Sequence, residues 1–142
     1  MKIHMIGIGG AGMSGIAEVL KDRGHSVTGS DLKESPYTRR LGEAGITVYI
    51  GHASHQVGDA EQVVISTAIP TTNPELLEAR RRSIPVIPRA AALASILEGS
   101  RSIAVSGTHG KTTTTSMTTQ GVANCEILRF DPVTCASALS VP

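Results

Sequence analysis

Aromatic side chains are almost missing from this chain: no Trp, two Tyr and one Phe among 142 residues. A core without rings must be filled by Ile, Val, Leu and Ala, as in parallel strands covered on both faces. Cysteine is scarce as well. Cys125 and Cys135 stand ten apart with no pair of histidines beside them, a spacing that supports neither a zinc site nor a disulfide framework. Reduced thiols in a cytoplasmic protein are the expectation. An excess of one charge is also lacking, since 13 Lys and Arg against 12 Asp and Glu leave a formal net charge of +1. That balance argues against nucleic acid or an acidic membrane surface as a partner. No apolar run approaches the roughly 20 residues of a membrane span. Met1-Lys2-Ile3-His4-Met5-Ile6 runs straight into glycines without a small-residue cleavage site, so it reads as a first strand and not as a signal peptide. The length allows one complete domain and a piece of another.

Glycine is present in quantity, and twice it follows an apolar run directly. After residues 3–8, Gly7, Gly9 and Gly12 have the Gly-x-Gly-x-x-Gly spacing. Ile16, Ala17, Val19 and Leu20 then recur at helical spacing until Gly24. In a nucleotide-binding turn the first glycine permits the tight bend, the second lets a phosphate approach the backbone, and the third brings helix and strand together. The alternative is a plain strand–helix turn. The second instance is Gly107-Thr108-His109-Gly110-Lys111-Thr112-Thr113, which follows residues 102–106 and leads into Thr114-Thr115-Ser116-Met117. A strand, a glycine turn and a helix opening at Gly-Lys-Thr form a phosphate-binding loop. Backbone N–H groups and the helix dipole face the phosphates of ATP, Lys111 reaches the β- and γ-phosphates, and the Thr112 hydroxyl sits on Mg²⁺. Gly107 stands three before Gly110, so this loop is shorter than Gly-x-x-x-x-Gly-Lys-Thr. The alternative is a glycine-rich turn with a chance Lys-Thr.

Between the two loops, strands and helices alternate. A strand at 26–29 ends at Ser30-Asp31, where an acidic residue about 20 positions past a glycine loop holds a nucleotide ribose; a cap or loop role is the alternative for Asp31. A helix at 37–44, a strand at 46–50 and a strand at 63–66 follow. His52 and His55 could suggest a metal pair, but no companion ligand set accompanies them, which favours loop histidines facing solvent or substrate. Thr67-Ala68-Ile69-Pro70 ends its strand on the edge where ligands bind in an open parallel sheet, beside the first glycine loop. Asn73-Pro74-Glu75 starts a helix with Leu76, Leu77 and Ala79 facing inward. Arg80-Arg81-Arg82 reads as cations complementing the C-terminus of that helix in preference to a phosphate site. A strand at 84–87 and a helix at 90–97 complete the pattern. The alternation specifies an α/β fold, a Rossmann-like doubly wound parallel sheet over residues 1–98. Gly99-Ser100-Arg101 is the joint to a second piece.

The sequence resembles the Mur ligase family over residues 1–117. The resemblance rests on Gly107-Thr108-His109-Gly110-Lys111-Thr112-Thr113-Thr114, on residues 7–15, and on Gly29-Ser30-Asp31. It rests also on Ser66-Thr67-Ala68-Ile69-Pro70, Asn73-Pro74-Glu75-Leu76 and Ile84-Pro85-Val86-Ile87-Pro88-Arg89. It implies that the first loop holds the UDP part of UDP-N-acetylmuramate and not NAD. The backbone of Gly9, Gly10, Ala11, Gly12, Met13 and Ser14 is then expected to cradle the diphosphate, with Ser30, Asp31, Thr67 and Ala68 near the nucleoside. It further implies that residues 99–117 begin a central ATPase domain, with Gly107 to Thr113 around ATP, Lys111 neutralising charge on the transferring phosphoryl group and Thr112 on Mg²⁺. The implied chemistry is ATP-dependent ligation of L-alanine to UDP-N-acetylmuramate through an acyl phosphate, in peptidoglycan precursor synthesis. The family enzymes are roughly three times this length. Past Met117 the apolar periodicity stops, and residues 125–142 match no family segment. A turn or two of helix after Lys111, a loosely ordered stretch from 118 onward, and UDP-sugar binding without ligation by this chain alone are the expectations. Rival readings are an NAD-dependent oxidoreductase fragment, a P-loop kinase and a non-catalytic UDP-sugar-binding module.

Overall fold

Short strands alternate with helices through the first hundred residues because apolar runs of period two are punctuated by helix caps and glycines. The computed structural model describes residues 1–98, 105 and 108–124, and it divides the chain into two compact units, Met1–Arg101 and Ser102–Pro142. The first unit runs β1 (Lys2–Ile6), α1 (Ala11–Asp22), β2 (Ser26–Asp31), α2 (Pro36–Glu43) and β3 (Thr47–Ile50). A 3₁₀ turn (Ser54–Val57), β4 (Gln62–Ile65), α3 (Pro74–Arg81), β5 (Val86–Pro88) and α4 (Arg89–Leu97) follow. All five strands are parallel, in the order β3-β2-β1-β4-β5. This is the doubly wound architecture expected. The chain steps outward from β1 through β2 to β3, then returns to the other side of β1 for β4 and β5, which makes the β1/β4 boundary the switch point. Ile6 stands opposite both Ser30 and Ile65, so three strands end together on one edge.

Alternation along the strands feeds two apolar layers. Ile3 and Met5 of β1, Val27 and Val64 pack with Met13, Ile16, Ala17 and Leu20 of α1, Leu41 of α2, and Ala92 and Ile96 of α4. On the opposite face Ile6 and Val63 pack with Val57, Leu76 and Ala79. Fully burying a side chain such as Leu76 contributes about 1.5–3 kcal/mol. His4 lies between Ile3 and Met5 in sequence and therefore on the α3 face, where it is fully buried.

Caps fix where the helices start. Ser35 and Thr38 form a capping box before α2, and Asn73 Oδ1 accepts from Glu75 N (2.9 Å) and Leu76 N (3.1 Å) at the head of α3. Leu77 departs from expectation. It is 50% exposed, because the buried stripe of α3 passes through Glu75, Leu76 and Ala79, and the next residue after Leu76 is rotated about 100° away from it. Glu75, expected only as an acidic first-turn residue, is itself fully buried.

In the second unit α5 spans Lys111–Asn124, 14 residues, longer than the turn or two expected and seven residues into the stretch expected to be loose. Thr115, Thr118 and Thr119 each donate a hydroxyl to the carbonyl four residues back at 2.8 Å, which ties the side chains of a threonine-rich segment to the helix. The strand expected at 102–106 falls largely outside the described residues, and the tail from 125 onward wholly so. Among the described residues no helix is long and apolar enough to cross a membrane.

Candidate functional site

The first glycine loop lies on the edge where β1, β2 and β4 end. Gly7 bends the chain with φ of +81°, and the amides of Gly7 and Ile8 both donate to the Ser30 carbonyl, at 2.8 and 3.0 Å. A Cβ at Gly7 would stand 3.2 Å from Ser66 Cβ and 3.3 Å from Ile69 Cδ1, so the loop after β4 is packed against this bend. Thr67 and Ala68 of that loop are exposed. Gly9 donates its N–H to Asp31 Oδ2 at 2.8 Å. A Cβ at Gly9 would fall 2.8 Å from Thr38 Cγ2 and 2.9 Å from Asp31 Oδ2. The spacing argument reserves that space for a phosphate. Here the chain's own Asp31 and Thr38 occupy it, and Asp31 acts first as a brace on the loop.

The donors that remain open lie one turn further on. Helix α1 has Gly10 as its N-cap without a side-chain cap. Met13 N and Ser14 N already donate to Gly10 O at 3.0 and 2.8 Å, and both residues are buried. Ser14 Oγ is turned back to Ala11 O at 3.0 Å. Gly10 N reaches Gly7 O at 3.4 Å. Within residues 9–14, the amides of Ala11 and Gly12 are therefore the two without an acceptor among the described residues. Two adjacent N–H groups at the positive end of a helix of 12 residues suit an anion. Arg89, the first residue of α4, brings a cation to the same place: a Cβ on Gly12 would lie 2.8 Å from its Nη1. Arg89 has no ion-pair partner among the described residues. Sequence reasoning quoted Arg89 as part of a motif and gave it no role; nothing local to residue 89 signals that the fold delivers it to Gly12.

Beneath the loop lies a polar cluster that sequence reasoning also missed. Ser30 is fully buried and donates its hydroxyl to Glu75 Oε2 at 2.6 Å. His52 Nδ1 approaches the same oxygen at 2.9 Å and Ser30 Oγ at 3.0 Å. His4 Nε2 lies 3.4 Å from Glu75 Oε1, and His4 Nδ1 is 2.9 Å from Thr28 Oγ1. Burial works to raise the Glu75 carboxyl, but hydrogen bonds from His4, Ser30 and His52, together with the His4 charge, outweigh it and hold the group below its ordinary value. The available signals were a histidine at an inward position of a strand and a glutamate in phase with Ala79 on the buried stripe of α3.

The second loop is described by itself. Gly110 has φ of +78°, and Thr114 N donates to Gly110 O at 2.9 Å as α5 opens. Lys111 Nζ lies 3.4 Å from Thr108 O, and residues 108–113 are exposed. The amides of Thr112 and Thr113 have no acceptor among the described residues. Open amides, an ammonium group and a hydroxyl at one helix start are the groups a magnesium-bound triphosphate requires. Gly107 lies outside the described residues.

Comparison with known proteins gives the following. The sequence profile of the Mur ligase family, catalytic domain, matches residues 2–101. The chain is 82% identical over 117 residues to a UDP-N-acetylmuramate–L-alanine ligase of Rubrobacter xylanophilus, covering 82% of this chain and 26% of that protein. It is 59% identical over 118 residues to the Thermobifida fusca protein of the same name, covering 83% and 25%. The crystal structure of a UDP-N-acetylmuramate–alanine ligase from Thermotoga maritima superposes with a TM-score of 0.83 at 35% identity, covering 87% of this chain and 29% of that one. The chain thus spans about a quarter of the length of the curated relatives it matches.

Proposed function

The chain belongs to the Mur ligase family, and from that membership we propose that its first unit holds the UDP part of UDP-N-acetylmuramate. We propose also that residues 99–117 begin the ATP-binding domain of a ligase that joins L-alanine to that sugar nucleotide, and that residues 118–142 form a divergent tail. The observation that supports the donor site best is the convergence of the open Ala11 and Gly12 amides with the Arg89 guanidinium. Two neutral donors and a cation on one spot match a diphosphate, and Asp31 beside Gly9 keeps the loop in shape to present them. Asp31, Thr67 and Ala68 then lie toward the nucleoside.

At the second loop Lys111 and the amides of Thr112 and Thr113 would hold the phosphates, and the Thr112 hydroxyl would hold Mg²⁺. Bound ATP supplies the phosphoryl group that activates the muramoyl carboxylate as an acyl phosphate, which the amine of L-alanine then displaces with release of phosphate. Lys111 carries the positive charge that offsets the charge developing on the transferred group. The activity belongs to a protein of the relatives' full length and places it in peptidoglycan precursor synthesis in the cytoplasm. For the 142-residue chain by itself the expected activity is binding of the UDP-sugar.

Titration calorimetry of this chain with UDP-N-acetylmuramate, NADH and Mg·ATP in separate runs tests the reading. Heat with UDP-N-acetylmuramate, weakened about tenfold or more by Arg89→Ala, is the expected outcome. Heat with NADH and none with the UDP-sugar would overturn it in favour of an oxidoreductase fragment.

A further inference from the structure

We propose that Glu75 is a positioning residue for the first glycine loop: its carboxylate reaches across the sheet to the Ser30 hydroxyl and fixes the seat from which the loop presents its amides to the diphosphate. The inference rests on the donor-site reading above and deepens it by naming a fully buried residue that acts on the loop without touching the ligand.

The loop is seated between two walls. On one side the Ser30 carbonyl accepts from both Gly7 N and Ile8 N, at 2.8 and 3.0 Å, and the next residue, Asp31, accepts from Gly9 N. On the other side Ser66 and Ile69 crowd the bend, at 3.2 and 3.3 Å from a Cβ built on Gly7. The first wall is the end of β2, and the second is the segment between β4 and α3. β1 lies between β2 and β4 in the sheet, so the strand ladder joins each wall to β1 and neither wall to the other.

Glu75 makes that join. It stands in the first turn of α3, where Asn73 Oδ1 accepts its amide at 2.9 Å and Asn73 N is tied back to Pro70 O at 3.0 Å. From there its side chain crosses the face of β1, with Oε1 3.4 Å from His4 Nε2, and Oε2 receives the Ser30 hydroxyl at 2.6 Å. His52 Nδ1 approaches the same oxygen at 2.9 Å. Ser30 is thus held by its side chain and holds the loop by its carbonyl. Filling a core needs no such acid, since well-packed apolar residues of similar volume serve as well or better. What an apolar side chain lacks is direction. A carboxylate oxygen fixed on the hydroxyl sets the orientation of the Ser30 peptide, and with it the two amides that hang on its carbonyl. The open Ala11 and Gly12 amides follow directly along the chain, while Arg89 arrives on another element. A small turn of the seat therefore separates donors that must meet one ligand.

The test combines calorimetry, with UDP as the probe, and amide hydrogen exchange. It compares wild type with Ser30→Ala, Glu75→Leu, Glu75→Gln and the double variant of Ser30→Ala with Glu75→Leu. Ser30→Ala and Glu75→Leu are each expected to weaken UDP about fivefold, and the double variant no more than either alone, because both cut the same link. Glu75→Gln still offers Ser30 an acceptor oxygen and is expected to stay within about twofold of wild type. In the exchange arm Ser30→Ala and Glu75→Leu are expected to speed the Gly7 and Ile8 amides about fivefold, while amides inside β1 keep their wild-type rates. Single variants that bind UDP like wild type, Glu75→Gln as weak as Glu75→Leu, losses that multiply in the double variant, or exchange quickened alike along β1 and the loop would each overturn this inference and leave the donor site standing. No heat from wild type with UDP would overturn the donor site and this inference with it. Ser30→Ala removes a single hydroxyl and gives both readouts by itself, so the test does not depend on the folding of Glu75→Leu.

Discussion

At Gly9 the glycine loop has no room for a methyl group. A Cβ there would press on Thr38 Cγ2 at 2.8 Å and Asp31 Oδ2 at 2.9 Å, and Thr38 is tied into the capping box of α2. Gly9→Ala is therefore expected to cost about 1–3 kcal/mol of stability, measured by urea unfolding, and to weaken UDP-N-acetylmuramate by displacing the Asp31 brace from the loop. Unchanged stability together with unchanged affinity would mean that the neighbours yield freely. The requirement for glycine at this position was legible in the spacing of Gly7, Gly9 and Gly12. What fills the space was not, because Asp31 and Thr38 come from elements that only the tertiary fold brings back to residue 9. Glu75 illustrates the same limit. Its place after Asn73-Pro74 reads as a first-turn acid, and only the arrival of His4, Ser30 and His52 turns it into the centre of a buried cluster.

Among the elements, α3 depends most visibly on its first turn. Asn73 satisfies two amides, Glu75 N and Leu76 N, and the second of these residues packs in the core while the first anchors the cluster beneath the glycine loop. Asn73→Ala is expected to cost about 1 kcal/mol, within a range of 0.5–2, visible as a lower thermal midpoint by circular dichroism. An unchanged midpoint would show that Pro74 alone sets the start of the helix. Local signals sufficed for elements of this kind: caps, glycines and apolar periodicity located all five strands and the four helices of the first unit within a few residues. They failed for α5, where a threonine run without an apolar stripe gave no reason to continue the helix past Met117, although hydroxyls bonded to carbonyls four residues back accompany it well beyond. They also misplaced Leu77, since a three-residue apolar pattern does not fix which side of a helix meets the sheet.

For the molecule as a whole, acid is expected to weaken the first unit through the buried Glu75. Burial pushes the Glu75 carboxyl up, but its interactions with His4, Ser30 and His52 together outweigh that and hold it below its ordinary value of 4.5, so the unfolded chain takes up this proton at a higher pH than the folded one. The stabilisation from Glu75 is complete above about pH 4.5 and is lost as pH falls through the lower folded value. Glu18, Glu34, Asp59 and Glu78 are shifted the same way by their Arg or Lys partners, but those pairs are largely exposed and screened. Glu75→Gln is expected to narrow its stability gap to wild type as pH falls below 4.5, followed by urea unfolding at a series of pH values. A gap that stays constant into acid would assign the acid sensitivity to other groups. The sheet order carries a different consequence, for the time course of folding. β1 pairs on one flank with β2, Ile3 opposite Val27, and on the other with β4, Ile3 opposite Gln62. During synthesis β1 is made before either of its neighbours, and one flank of it stays bare until residues 62–65 have been made. Closing that longer loop is the slower step, and until it happens the strand at the middle of the finished sheet is an unprotected edge, open to pairing with another nascent chain.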